Sequence, residues 1–567
     1  MSPRPLKTGL LICAISSLLS FLLASRSVAA PAINVKAPQG GTFNLNLRGE
    51  PTTLNPITGS DLYSQMVKEY VVDRLLMHDP ETFALVPGLA EKYEVAKDGK
   101  SFTFKLRKNA KFHDGHPVTA EDIKFSFDAV FDNRFGGAHM RPYFENFDKV
   151  EIIDPLTVKI LIKRVYFGNL EEFASDFFVL PKHIYGDPDA GKKLNKTLMG
   201  SGPYKFESYD QGQNIMLVRN HDWWGNDLPQ YRGKYNFERI RARFIKQSDV
   251  AIEMIKKGEL DFHKLLPEDY EKKTDGPEWG KTVFKEKVEN LSPKQYLYIG
   301  WNMKRDLFKD RDVRMALYNL LNRAEMNKKF RYELSYLATG PWYVQSEYAD
   351  PKVKPVPFDP PKAVELLKKA GWVHSASDGV LEKNINGQKV PFRFTLQYSD
   401  KDSEKYMVLY QNDLKKYGID MQLQLLEWTA LLKNMDDRNF DAIWAGWGAG
   451  DVEIDPKQVW HSSSDVKGGS NRVGYSNPEV DRLIDEARLE TDKKKRIPLL
   501  RKVYRLIAED VPYAFLFVDR YIMYAHTARV KMQRPTMHFG TPRDFGLGYD
   551  YWWSADAPAS AANKGAK

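Results

Sequence analysis

Cysteine is nearly absent. Cys13 stands alone, inside an apolar stretch near the N-terminus. The rest of the chain has no thiol, which excludes disulfides and thiol catalysis and leaves a large packed core to hold the fold. Long hydrophobic runs are missing beyond Leu10 to Leu23, so no further membrane-length segment is read. Catalytic signatures are missing as well: there is no HExxH and no G-x-S-x-G elbow. The segment Gly276 to Thr282 mimics a phosphate-binding loop but puts three residues between its glycines, and Glu278 would repel phosphate. The net charge of +9 is spread as mixed signs, as in Asp310-Arg311-Asp312, which speaks for a solvated surface and against nucleic-acid binding.

What is present begins with an export signal. Arg4 and Lys7 precede the apolar run, and Ser27-Val28-Ala29 offers a small-residue cleavage site, predicting a signal peptide over 1–29. Ile12 precedes Cys13 where lipidation needs a small residue. The expectation is therefore a soluble, exported protein that is not lipidated. About 538 residues would remain after cleavage, more than one core usually serves, so two or three domains are expected.

Alternating strands are predicted at Thr42 to Arg48, Ser101 to Arg107 and Ile419 to Leu425. Helices are predicted over Gln65 to Met77, after Thr119 as N-cap, after Asp310, and over Pro478 to Leu489. Gly200 to Tyr204 is a breaker cluster and an expected domain crossing. From residue 295 onward helices and strands alternate, which predicts an α/β arrangement with mixed sheets.

The most informative stretch is Phe440 to His461. A buried strand (Phe440, Ala442, Trp444) leads through Gly446, Gly448 and Gly450 to Asp451. Glycines relax backbone limits and let main chain approach a ligand. Trp444 and Trp447 beside one carboxylate would make an apolar-walled pocket with an anionic anchor, suited to a cationic small molecule. The rival reading is a strand and a glycine-rich loop whose tryptophans only pack. Asp451, Glu453 and Asp455 cluster, but an acid-rich loop tip is more often solvated than catalytic. His113 and His116 read as hydrogen-bonding loop residues.

Ordered blocks then carry a resemblance. Pro87 to Ala90, Asp98-Gly99, Phe102 to Arg107, Phe112 to Gly115 and Thr119 to Asp122 form the strongest, supported by Pro51 to Leu54, Gly202 to Tyr204, Asn302 with Phe308, Val313 to Ala316, Ala370 to Trp372 and Asn477 to Asp481. In these the chain resembles the oligopeptide- and dipeptide-binding proteins of ABC importers, the three-domain class of extracellular solute-binding proteins. Trp224-Gly225, Asp227 to Pro229, Arg232-Gly233, Asn236-Phe237 and Trp460 to Ser462 look like the branch serving microcin C and oligopeptide uptake.

The resemblance implies a periplasmic binding protein-like α/β fold: two hinged lobes with mixed sheets and an inserted third domain. Domain I would comprise 30–61, 198–291 and 525–556, domain II the insertion 62–197, and domain III 292–524, with 557–567 a flexible tail. It implies a monomeric, non-enzymatic periplasmic protein that encloses a peptide ligand and delivers it to ABC permease subunits, without cofactor or metal. The family anchors the peptide α-ammonium on an Asp that Asp451 matches; one extra residue after Trp447 makes Asp455 a rival. Trp447 and Trp428 match aromatic pocket residues, and Trp444, Gly448 and Asn302 complete the candidate ligand-binding set. The arginines that take peptide carboxylates in some relatives are not reproduced. An oligosaccharide or opine binder, and a secreted hydrolase, are the alternatives.

Overall fold

The computed structural model describes residues 33–558, apart from 60, 138–139, 386, 449, 451, 467–468 and 540–548. The expected signal peptide, the tail beyond 558 and Asp451 therefore lie outside the described residues.

Thr42–Leu47 alternates as expected and buries Phe43, Leu45 and Leu47. It is the fourth of seven strands in a mixed sheet. In spatial order these are Val283–Val288, Ile522–Thr527, Phe262–Lys264, Thr42–Leu47, Arg239–Phe244, Asn214–Arg219 and Tyr204–Asp210. Strands from three remote parts of the sequence meet here, and one side chain joins them. Asp261, 1% exposed, accepts hydrogen bonds from the Asn44 backbone N–H (2.8 Å) and amide (2.9 Å), from Thr527 Oγ1 (2.9 Å) and from Arg529 Nε (3.0 Å).

An antiparallel four-stranded sheet packs beside it, ordered Ala90–Val95, Ser101–Leu106, Thr157–Ile162 and Phe147–Asp154. Phe43 and Leu45 of the first sheet and Phe102 and Phe104 of the second share one hydrophobic core. The helix Ala120–Phe131 starts at Thr119, where the capping box is closed by Asp122. The helix expected over Gln65 to Met77 runs Leu62–Val71 instead. Asp61 caps it by accepting from the N–H groups of Tyr63 and Ser64, and Val72 is already extended. β-Branched residues resist helical χ1 crowding, and the chain goes on to a strand, Leu76–His78.

The third sheet has its own core. Its order is Ser335–Leu337, Tyr513–Asp519, Tyr296–Trp301, Ala442–Trp447, Arg393–Tyr398 and Asp420–Leu425. Helices including Arg311–Asn319, Pro478–Leu489 and Lys493–Asp510 cover it. The chain passes between this body and the seven-stranded sheet twice, through residues 289–295 and through Arg520 and Tyr521. The expected boundary at 524/525 falls inside the strand Ile522–Thr527, so the sheet change comes four residues earlier than the sequence reading placed it. Hydrophobic alternation cannot mark that point, because the apolar run is unbroken from Tyr513 to Val518 and resumes at Ile522.

Trp223 and Trp224 are buried and donate their indole N–H groups to Asp73 Oδ2 at 3.3 and 2.6 Å. Burial pushes the Asp73 carboxyl up to about 7 against these two donors. An unfolded chain releases that proton near pH ~4. Folding thus takes up a proton between the two values, and this contribution to stability is lost as pH rises from about 4 to about 7. Asp73→Asn, which keeps an acceptor, is expected to gain on the parent in urea midpoint as pH rises through that window. Parallel midpoint curves for the two proteins would contradict the assignment.

Candidate functional site

The cleft between the two bodies holds two connected chambers of about 720 and about 650 Å³. They share Tyr143, Glu172, Asp176, Lys294, Gly448 and Gly450. Residues from both chain crossings, Ser292 to Gln295 and Tyr521, line the larger one. The strand Ala442–Trp447 points its C-terminal end into the junction. At Gly446 a Cβ would come 2.9 Å from the end of the Leu297 side chain, which would have to shift; Gly450 holds φ +66°, a left-handed backbone.

The two chambers differ in charge. The larger adds Lys68, Lys264 and Asp519 to the shared Lys294, Glu172 and Asp176. Lys68 donates to Gly59 O (2.8 Å), and Lys294 to Asn290 Oδ1 (2.8 Å) and Ser292 O (2.6 Å). Burial lowers Lys264 and pushes Lys294 down to about 7. The smaller adds Asp455, Glu453, Glu171 and Arg496 to the shared Glu172, Asp176 and Lys294, against an aromatic wall of Trp447, Trp460, Trp342, Tyr343 and Tyr166. Glu172 Oε1 accepts from the Tyr166 hydroxyl (3.1 Å), while Oε2 has no hydrogen-bond partner among the described residues. Burial raises the Glu172 carboxyl to about 8, with the charges of Asp455 and Asp176 adding to it and the Tyr166 hydroxyl and Arg488 opposing.

A clasp crosses the cleft mouth. The backbone N–H of Phe167 donates to Arg488 O (3.1 Å). The Arg488 guanidinium lies 4.6 Å from the Tyr166 ring centre, and that of Arg496 lies 4.0 Å from the Phe167 ring centre. Glu453 holds Arg496 in place, also pairing with Lys493 (2.8 Å) and the Tyr348 hydroxyl. Burial works against the Glu453 carboxylate, yet these three partners keep it below its usual range.

The candidates read from sequence separate into two groups. Trp447, Gly448 and Asp455 line the cleft. The Trp447 ring runs nearly parallel to Tyr298 at 6.5 Å and its indole donates to the Tyr513 hydroxyl (3.4 Å). Asp455 Oδ2 accepts from Arg488 Nε (3.0 Å) and Oδ1 from the Lys457 N–H (3.1 Å). Trp444, expected as a pocket wall, is buried against Tyr406 in the core instead. The strand's two-residue period puts positions 444 and 447 on opposite faces of the sheet. Trp428 is 54% exposed at the start of the helix Trp428–Asp436 and lines neither chamber. Asn302 is buried as a turn clip, donating to Phe440 O (2.8 Å) and Arg438 O (3.2 Å). Trp444 and Asn302 thus have packing and fold roles that residue type alone does not disclose.

Sequence reasoning missed Glu172, Asp176 and the three lysines. Glu171-Glu172 looks like an ordinary acidic first turn of the helix Asn169–Ala174, and Lys68 like the polar face of another helix. Among the described residues, one group could hold a metal ion: Asp114, His116 and His183, exposed, with ligand atoms within 4.8 Å of one another, and lining neither chamber. His113 is separate and half-buried, its Nε2 3.0 Å from Gly202 O. Burial pushes it down to about 4, so it stays neutral at pH 7.

Residues 84–469 match the description "bacterial extracellular solute-binding proteins, family 5 Middle". The oligopeptide-binding protein AppA of Bacillus subtilis (strain 168) is 31% identical over 536 residues, covering 90% of this chain and 93% of that one. The solved structure of AppA in complex with a nonapeptide superposes with a TM-score of 0.75 at 28% identity, over 92% of this chain and 100% of that one. The periplasmic binding protein DppA from Helicobacter pylori in complex with peptide STSA gives 0.74 at 22% identity, over 91% and 98%, a likeness of fold alone. The architecture is that of a periplasmic binding protein, and by the extent of the family match and of the AppA alignment this chain belongs to the bacterial extracellular solute-binding proteins, family 5.

Proposed function

We propose that the protein captures oligopeptides in the cleft between its two bodies and hands them to the membrane permease of an ABC importer. In this reading it acts as a non-enzymatic monomer, exported to the periplasm by the segment 1–29. The carrying observation is the aromatic-walled cleft with charges of both signs: Glu171, Glu453 and Asp455 line only the smaller chamber, Lys68 and Lys264 only the larger, and Glu172, Asp176 and Lys294 line both. An extended peptide is a rod with a cation at one terminus and an anion at the other, and this lining complements both. The nonapeptide complex of the AppA relative supports the ligand class.

The α-ammonium is assigned to the loop after Trp447, with Asp451 as its anchor and Asp455 close by in sequence. The carboxylate is assigned to the lysine-bearing chamber, in place of the arginines used by some relatives. Lobe closure about the two crossings then traps the guest, the ligand shifting an open–closed equilibrium. Of the two tryptophans behind the narrower resemblance to the microcin C branch, Trp224 belongs to the buried Asp73 network, so cargo is assigned from the cleft and not from it.

Calorimetry tests the reading. Free oligopeptides are expected to bind, and N-acetylation to cost ~2–5 kcal/mol, as should Asp451→Asn, because each strips one partner from a desolvated charge pair. That is roughly 30-fold to several-thousand-fold in affinity. Unchanged affinity in Asp451→Asn would transfer the anchor to Asp455. Tight binding of neutral glycans without peptide binding, or peptide cleavage on incubation, would replace the reading altogether.

A further inference from the structure

We infer that Asp114, His116 and His183 form a binding site for a divalent transition-metal ion of the zinc or nickel kind, on the surface and away from the cleft. The inference does not depend on the peptide reading, since no member of the triad lines either chamber.

Three observations carry it. First, the donors converge. One ring nitrogen from each histidine and one carboxylate oxygen lie within 4.8 Å of one another. His183 Nε2 is 2.6 Å from Asp114 Oδ2, His116 Nδ1 is 3.2 Å from Asp114 Oδ1, and the two imidazole rings are 4.1 Å apart at their centres. Metal bonds of about 2.0–2.2 Å to such nitrogens and oxygens gather three donors of this kind around one ion. Second, the donor set selects the ion. Two imidazoles and a carboxylate suit zinc, nickel or cobalt, whereas calcium and magnesium call for an oxygen shell. Three protein ligands on an exposed surface leave the remaining positions to water.

Third, the two elements that carry the donors are fixed from the core side. On the turn, the Phe112 N–H donates to His116 O (2.8 Å), Gly115 takes φ +91°, and Asp114 Oδ1 accepts from the His116 N–H (3.2 Å). His183 stands on the helix Lys182–Tyr185, where the Lys182 N–H donates to Asp122 Oδ1 (2.9 Å), so the carboxylate that closes the Thr119 capping box also holds this helix. Phe112 and Tyr185 root the turn and the helix in one core, and the Phe112 ring meets that of His183 edge-on at 5.9 Å. Ligands held in this way lose little freedom when the ion arrives. Lys182, beside His183 in sequence, has its own charge paired with Glu121 (2.9 Å).

Titration calorimetry on the purified protein, free of any affinity tag and stripped with chelator, tests the site with Zn2+, and with Mg2+ as the hard-ion control. One Zn2+ is expected per chain, with a thermal midpoint that rises as zinc saturates, and no binding of Mg2+. His116→Ala and His183→Gln should each weaken zinc by about tenfold or more, the lower end of what even outer partners of a metal cost. His221→Asn, which alters an exposed histidine paired with Glu238, should leave zinc binding unchanged. His116 is exposed, so its variant tests the site without disturbing the core. Zinc affinity that is the same in the parent, His116→Ala and His183→Gln means an adventitious ion only and overturns the site, as does a failure of zinc to bind. Magnesium binding as tight as zinc overturns the choice of ion. Zinc binding lost with His116 in a protein that binds no peptide upholds the site while the peptide reading falls.

Discussion

Replacing Asp261 with alanine is expected to lower stability by ~3–5 kcal/mol, the scale for removing one member of a buried, hydrogen-bonded charge pair. The loss strands Arg529, the Thr527 hydroxyl and two N–H groups of Asn44 at once. Those partners lie on the strands Thr42–Leu47 and Ile522–Thr527 and just beyond the latter, on either side of Phe262–Lys264. The carboxylate is therefore where the start, middle and end of the chain are fastened into one sheet. Urea unfolding followed by circular dichroism measures the effect. A drop below about 1 kcal/mol, the range of an exposed pair, would show that backbone pairing alone holds these strands. Asp261→Asn retains an acceptor and should fall between the two.

Glu453→Ala should cost a similar ~3–5 kcal/mol in the stability of its own body, because Arg496 is left buried beside it without a counter-charge. It should also weaken ligand binding, although Glu453 need not touch the ligand. Arg496, freed of Glu453, loses its place over the Phe167 ring, and the closed arrangement loses part of its clasp. Apparent affinity falls with the fraction of molecules able to close. Phe167→Ala isolates that second effect, and a cation–π contact sets its scale at ~0.5–2 kcal/mol. In the double variant the losses in affinity should not add, since both act through one guanidinium. Additive losses would place Glu453 in direct contact with ligand.

Local chemistry made much of this legible before any coordinates. Thr119 and Asp122 announced a helix start, and Phe43, Leu45 and Leu47 announced a strand with one buried face. The strand-to-glycine passage at Ala442 to Gly450 allowed either a pocket or a plain packed turn, and its residues Trp447, Gly448 and Gly450 line the chambers. Faces were harder. Trp444 and Trp447 looked equivalent by composition, and only their odd spacing on a strand separates core from cleft. Convergence was hardest. Glu172 and Asp455 are almost three hundred residues apart, and their meeting depends on how two bodies approach, which no local pattern encodes. Trp428 and Asn302 matched a family block, but neither lines a chamber: one is largely solvent-exposed, the other is spent on a turn.

The crossing made by Arg520 and Tyr521 has a mechanical consequence. Two residues reach no more than ~7 Å even when fully stretched, so the halves can swing about that point but cannot drift apart. With the second crossing at 289–295, the two tethers define an axis about which the halves swing. A donor dye on one half and an acceptor on the other would report that swing, and with it occupancy, for any cargo, which suits the molecule to use as a dye-labelled sensor.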